Sequence, residues 1–443
     1  MGFLGETARR DDRPSFDAQH ATRVTPEAAT FSLWNAVSLR SLASPVVKLA
    51  LVSLNDSTDV LQWSGLNHHI ARSLERAGAT LVRVGPLTHP WTTGMKLRRR
   101  WYGLLGQSYH ANMERESLDA FGAQARAQIP GDVDAVLAVT TMIAASLDGL
   151  RAPVISWDDA SPAALVDYYP AFERLSARSA RDARAMGERA AQNVQLAMYA
   201  SEWAAAGARA AYGLPVDRVA VVPFGANLEE MPSIDDVHRT IAGRPRTRCR
   251  LLWVGVDWER KRGDLVLEIA KRIEAHGIAV ELTLVGCRPP GDRELPDWVQ
   301  VEGFLSKRTA QGKARLAELY ARSHFLVMPS NAEAFGLVYA EAAAYGVPSV
   351  ATRTGGVPTV VVDGETGVLD DIGASAESYA GRMLALIKDR PRYETMARAA
   401  AARSATMLNW DVAGREAVAR IAAVAGVVAG RRERPRRMAL TPI

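Results

Sequence analysis

HFLVMPSNAEAFGLVYAEAAAYGVPSVATRTGGVPTVVVDGETGVL, residues 324–369, sets the frame for the chain. It reads as a strand, a polar turn, an apolar helix, a short strand and a glycine loop. HFLVMP is an apolar run of strand length, ended by Pro329. Ser330–Ala334 form the turn, and Phe335–Tyr345 read as a helix apolar on nearly every face, hence buried on several sides. Glu341 sits inside that helix. A glutamate is almost never fully buried without a partner, so it is expected to face a pocket or a cation. Glu333 sits in the turn at the strand's carboxyl end, where open α/β sheets bind ligands. The amides of Phe335, Gly336 and Leu337 are expected to be free at the helix start and to attract phosphate. Anion-binding amides flanked by two carboxylates suit a ligand with both phosphate and hydroxyls, such as a nucleotide-activated sugar. Spacing alone leaves a second reading open: an acidic first turn plus one ion-paired glutamate.

The segment resembles the donor-site signature of retaining glycosyltransferases of family 4, which have the GT-B fold. The family pattern is E-x-F-G-L-x-x-x-E-A, then G-x-P, then a double-glycine loop. Here Glu333, Phe335, Gly336, Leu337, Glu341, Ala342, Gly346, Pro348, Gly355 and Gly356 hold those places. The family often has a glutamate soon after the double glycine, and here Thr359 stands there.

Composition fits this frame and excludes several others. At 443 residues the chain can form two domains, each with its own core. It is 48% hydrophobic and 23% charged, as ordinary globular proteins are. A formal charge of +5 is small for this length and does not argue for nucleic acid. Cys249 and Cys287 are the only cysteines, too few for a disulfide framework and expected to be reduced. No apolar run has transmembrane length, and the N-terminus lacks a signal-peptide core. The expected location is cytoplasmic, with weak peripheral contact at the inner membrane face allowed by the basic segments.

Four regions follow: a polar extension over 1–45, a first Rossmann-like domain over 46–227, a second over 228–410, and a final helix with a basic tail over 411–443. Residues 31–45 read as a short amphipathic helix. VVKLALVSL (46–54) is the first strand, and a loop with Ser64 and Gly65 leads into a helix from about Leu66 to Arg76. Gly65 lets backbone approach a ligand closely, or simply starts the helix. In the resembling family this loop faces the cleft between the domains. His68 and His69 are adjacent on a helix, so their side chains diverge by about 100° and cannot share a metal ion. KLRRRWYGLLGQSYH (96–110) is basic and aromatic, which suits either a solvated helix face or a surface for anionic headgroups. APVISW (152–157) runs into Asp158 and Asp159 at a strand's carboxyl end. The family often has a histidine there, near the reacting carbon, so Asp158 or Asp159 is a candidate for orienting the acceptor or donor in the cleft, with helix capping after Ser161 as the plain alternative. Gly225 and Asn227 match the family's turn at the domain junction. LEEMPSIDDVHRTIAGRPRTR (228–248) reads as the linker.

CRLLWVGVDWERKRG (249–263) opens the second domain with a strand ending at Gly255 and a basic turn of Arg260, Lys261 and Arg262. A departing diphosphate gathers charge as the sugar bond breaks, and cations stabilise it. The family pattern is Gly-Arg, several residues, then Lys-Gly. Val256 replaces the arginine here, so the resemblance gives Lys261 the central role with Arg260 as substitute.

The resemblance implies transfer of a sugar from a nucleotide-diphosphate donor to a sugar, glycan or lipid-linked acceptor, with retention. Lys261 and Arg260 would neutralise the diphosphate, helped by the amides of Gly336 and Leu337. Glu341 would take the ribose hydroxyls and Glu333 the donor-sugar hydroxyls. Phe335, Gly255 and Gly356 complete the donor side, and Gly65 and Asp158 the acceptor side. No aspartate-rich motif stands out as a divalent-ion site, so neither a metal nor another cofactor is predicted. An epimerase or phosphorylase on the same fold, and a non-catalytic sugar-nucleotide-binding subunit, are the alternatives.

Overall fold

The computed structural model describes residues 47–292 and 294–426. The extension over 1–45, with its expected helix, and the arginine-rich tail from 431 lie outside the described residues. The described chain builds two six-stranded sheets. The first holds β1 (Lys48–Val52), β2 (Thr80–Val84), β3 (Ala135–Ala138), β4 (Val154–Asp158), β5 (Val194–Tyr199) and β6 (Val219–Val221), in the order β2-β1-β3-β4-β5-β6. The second holds β7 (Arg248–Gly255), β8 (Ala279–Gly286), β9 (Val299–Gly303), β10 (Phe325–Met328), β11 (Ser349–Thr352) and β12 (Gly367–Asp370), in the order β12-β11-β10-β7-β8-β9. Every pairing is parallel. Parallel strands need helical crossovers, which cover both faces and explain why β3, β10 and β11 are buried throughout. The doubly wound α/β architecture expected from the sequence is therefore the one observed.

Strand periodicity assigns the cores. Leu49 and Leu51 of β1 join Ile70 and Leu74 on one face, while Ala50 and Val52 join Met113 and Phe121 on the other. The first of these cores continues into the second sheet through Phe224, Phe335 and Trp410. Trp410 starts the helix Trp410–Ala425, which lies against the helix Leu66–Arg76. Gly414 makes the approach possible, since a Cβ there would come within 2.3 Å of the Ser73 carbonyl oxygen.

Two readings need correction. Residues 234–243 of the supposed linker form the helix Ile234–Gly243, capped by Ser233, whose Oγ accepts from the Asp236 amide at 3.2 Å. Val237 and Ile241 lie on its one buried stripe against Ala397 and Ala401, so the mixed charge was a solvated helix face. The helix read from Phe335 begins only at Leu337, because Gly336 turns the chain with φ +87°.

His324, just before β10, gives the second sheet a pH dependence. Its Nδ1 accepts from the Arg250 amide at 3.0 Å, which leaves Nε2–H to donate to the Pro245 carbonyl at 2.9 Å. The contact at Nδ1 requires the neutral ring. Burial lowers its pKa from 6.5 to about 4, and nearby arginines add to the effect. A depressed folded-state pKa gives stability that is fully present above pH 6.5 and is lost as pH falls through 4. Urea titrations should find this group contributing about 2 kcal/mol less at pH 5 than at pH 7. A His324→Gln variant with an unchanged pH slope would contradict this.

Candidate functional site

The second sheet reverses its winding between β7 and β10, and open α/β sheets bind ligands in the crevice at such a switch point. The basic turn leaves β7 there and the Glu333 turn leaves β10. Asp257 shapes the first turn by accepting from the Arg260 amide at 3.1 Å and from its Nε at 3.2 Å. Gly255 admits the Lys261 chain across the strand end, since a Cβ there would lie 2.3 Å from Lys261 Cδ. The two turns are joined by the Asn331 amide, which donates to the Arg260 carbonyl at 2.8 Å.

Three donors converge on one oxygen of Glu333. Lys261 Nζ lies 2.9 Å from Oε1, Arg260 Nη1 3.1 Å and Ser330 Oγ 3.1 Å. Burial pushes this carboxyl up, but Lys261 and Arg260 outweigh it and hold the group below the ordinary glutamate range. Glu333 is therefore an anion that keeps two cations in place inside a buried site. Arg260 also donates to the Ala332 carbonyl at 2.8 Å.

The helix Leu337–Ala344 starts beside this cluster with no side-chain cap. The amides expected to attract anions thus belong to Gly336 and Leu337, whereas the Phe335 ring is buried and meets Phe224 edge-on at 5.4 Å. Glu341 is buried four residues on. Its partner is Lys307, 2.5 Å from Oε1, with Tyr320 OH donating to Oε2 at 3.0 Å. The expected cation is present, supplied by the turn after β9. Gly355 and Gly356 pack against the Glu333 turn. A Cβ on Gly355, at φ +51°, would come within 2.0 Å of the Glu333 carbonyl oxygen, and the Gly356 amide donates to that oxygen at 3.1 Å.

The first domain reaches the same cluster through residues that the sequence reading passed over. Tyr168 OH accepts from the Glu333 amide at 2.9 Å and shares a 2.9 Å hydrogen bond with Thr354 Oγ1. The Arg260 guanidinium lies 5.0 Å from the centre of the Tyr169 ring, a cation–π contact. The one signal available was an aromatic pair, Tyr168-Tyr169, ahead of Pro170 in a loop.

Asp158 needs correction. Its Oδ2 accepts from the Thr141 amide at 2.6 Å and from Thr141 Oγ1 at 2.9 Å, so it is committed inside the first domain. The capping alternative also falls elsewhere, because Ser161 caps the short helix Pro162–Leu165 with its own Oγ. At the neighbouring Asp159, burial followed by the Asp158 charge pushes the carboxyl well above the ordinary range. Gly65 closes a run of left-handed residues after Trp63 and Ser64, with φ values of 48°, 55° and 80°. The Ser64 carbonyl accepts from Asn227 Nδ2 at 2.7 Å, while Asn227 Oδ1 accepts from Trp410 Nε1 at 2.9 Å. Asn227 thereby ties the Gly65 loop to the domain junction. The ring centres of His68 and His69 lie 5.4 Å apart with planes at 89°, and His69 stacks on Trp410.

Residues 235–403, which carry this cluster, match the family model for glycosyl transferases group 1. Over those residues the chain is similar to the group 1 glycosyl transferases. A D-inositol 3-phosphate glycosyltransferase of Thermomonospora curvata is 34% identical over 218 residues, 45% of this chain and 50% of that protein. Its counterpart in Streptomyces avermitilis is 32% identical over 209 residues, 47% of this chain and 40% of that protein. The chain spans about half the length of the curated relatives it matches. Among solved structures, Anabaena HepE in complex with UDP-glucose aligns over 85% of this chain and 99% of its own, with TM-score 0.56 and 17% identity. Sucrose-phosphate synthase of Thermosynechococcus elongatus aligns over 84% and 97%, with TM-score 0.57 and 19% identity. Likeness at that identity concerns the fold. Together with the two parallel sheets, it makes the architecture of this chain GT-B.

Proposed function

We propose that the chain transfers a sugar from a nucleotide-diphosphate donor to a hydroxyl of a sugar, glycan or lipid-linked acceptor, with retention at the anomeric carbon. The observation that carries this reading is the convergence of Lys261 and Arg260 on Glu333 beside an uncapped helix start at the switch point. Lysine has three N–H donors, so the contact with Glu333 leaves others for a phosphate. As the bond from carbon to the diphosphate oxygen breaks, Lys261, Arg260 and the amides of Gly336 and Leu337 take up the charge on the leaving group. The acceptor oxygen bonds to the same carbon, and its proton passes to the departing phosphate oxygen. Glu333 keeps the cations aimed and offers Oε2 to donor hydroxyls. Each Glu341 oxygen accepts one donor from the protein and has a lone pair left for a ribose hydroxyl. Lysine, arginine and helix amides supply the charge that a divalent ion would otherwise provide. Turnover should therefore survive chelation, and activity lost to a chelator and restored by magnesium would contradict that.

A thermal-shift screen against UDP, GDP, ADP, dTDP and their sugar derivatives tests the donor site, with UDP-glucose tried first. A ligand at a hundred times its dissociation constant adds about 2.7 kcal/mol of stability. One nucleotide should shift the midpoint clearly, and Glu341→Ala should abolish the shift relative to that variant's own baseline. No shift with any nucleotide would overturn the reading. Turnover assays with the selected donor would include D-inositol 3-phosphate, the acceptor class named for the relatives.

A further inference from the structure

We propose that the helix Thr93–Leu104 docks flat on an anionic lipid surface. This helix buries only Met95. Leu97, Trp101 and Leu104 are 64%, 62% and 76% exposed, with Leu105 at 53% just beyond and Trp91 at 44% just before. Positions 97, 101 and 104 follow the i, i+4, i+7 spacing of one helix face, opposite Met95. So a stripe that would ordinarily form a core points outward, and this is the observation needing a partner.

Charge selects the partner. Residues 93–113 contain Lys96, Arg98, Arg99 and Arg100 and no acidic residue. Lys96 and Arg100 flank the apolar stripe on one side by helical angle and Arg98 on the other. Arg98 moors the helix to the domain, donating to Glu114 at 2.9 Å and to Tyr109 OH at 3.0 Å. Lys96, Arg99 and Arg100 are exposed, and Arg99 lies 5.6 Å from the centre of the Trp91 ring. A second copy of this chain would oppose cations with cations. A bilayer with anionic headgroups takes leucine and tryptophan into its boundary and pairs the arginines at the headgroup level. Twelve residues span about 18 Å, too short to cross a bilayer and suited to lying along it. Among the described residues no helix is long and apolar enough to cross a membrane.

The surface is connected to the cleft. After the helix, the Ser108 amide donates to the Arg174 carbonyl and the Ser108 carbonyl accepts from Ser176, both at 2.9 Å. That places the docking segment beside the loop that carries Tyr168 and Tyr169. A lipid-linked acceptor would then be met at the first domain's side of the site. Only this last step rests on the proposed sugar transfer; the docking itself does not.

The test is co-sedimentation of the full chain with phosphatidylcholine vesicles, with and without phosphatidylglycerol. Binding should require phosphatidylglycerol and weaken with salt. Leu97→Glu with Leu104→Glu should weaken it by at least about tenfold. The thermal midpoint should not move, because both side chains are exposed. Lys96→Gln with Arg100→Gln should weaken binding while leaving the apolar stripe intact. Absence of binding to either vesicle overturns the proposal. So does binding undiminished in the leucine variant, which would assign it to another surface such as the basic tail. A dimer seen by light scattering, with vesicles ignored and the dimer lost in the leucine variant, would make this face an interface between copies instead.

Discussion

Lys261→Ala is expected to lower turnover at saturating donor by about 100-fold or more. The lysine is buried and its Nζ lies 2.9 Å from Glu333 Oε1, so it acts where few waters compete. In such surroundings a charge interaction is much stronger than in bulk water. Its value is greatest when the diphosphate departs, because the leaving oxygen then carries more charge than in the bound donor. The loss should therefore fall on kcat more than on donor affinity. The fold should persist, since Arg260 still pairs with Glu333 and with Asp257 in the variant. Lys261→Arg should restore little, because the lysine chain already packs tightly over Gly255 and a planar guanidinium is wider. Steady-state kinetics on the purified variant checks this. Near wild-type kcat in the alanine variant would remove Lys261 from the leaving-group role.

Glu333→Ala should have the largest effect on stability. It leaves Lys261 and Arg260 together in a buried site with no carboxylate between them, and their side chains are each only 11% exposed. Removing one partner of a buried ion pair typically costs about 3–5 kcal/mol, chiefly because the remaining charge stays buried. Arg260 retains Asp257, the Ala332 carbonyl and the Tyr169 ring, so the lower end of that range applies. Glu333→Gln should lose less, as it keeps the shape and one acceptor oxygen. Denaturant unfolding of the three proteins gives the comparison. A loss below about 1 kcal/mol in the alanine variant would mean that the two cations are solvated rather than held by this carboxylate.

The turns proposed to bind phosphate were legible because each is a local pattern. An apolar run ending in Gly255 followed by Arg260-Lys261, and Glu333 followed by Gly336 and an apolar helix, can be read within about a dozen residues. The helix Leu66–Arg76 was equally plain from periodicity and the glycine that follows it. What escaped is what only tertiary placement creates. Tyr168 lies 165 positions from Glu333 in sequence, and Lys307 lies 34 from Glu341. Nothing in their neighbourhoods marks them as partners. Asp158 and Asp159 are adjacent, and nothing in the sequence marks Asp158 as the one that turns inward to Thr141. The helix Ile234–Gly243 was obscured by its own charged face, although Ser233 followed by Asp236 was a usable start signal. The basic helix near residue 100 was visible as composition. Only coordinates show that its leucines point away from the domain.

The central claim is that the turn of Arg260 and Lys261 holds a diphosphate. Isothermal titration of the nucleoside diphosphate selected by the thermal screen, beside its monophosphate, tests this most directly. The second phosphate should tighten binding to the wild-type chain by at least about tenfold, or 1.4 kcal/mol, through charge-assisted hydrogen bonds. In Lys261→Ala most of that advantage should vanish while monophosphate affinity stays close to wild type. Equal affinity for the two nucleotides in the wild-type chain, or an undiminished advantage in the variant, would contradict the account.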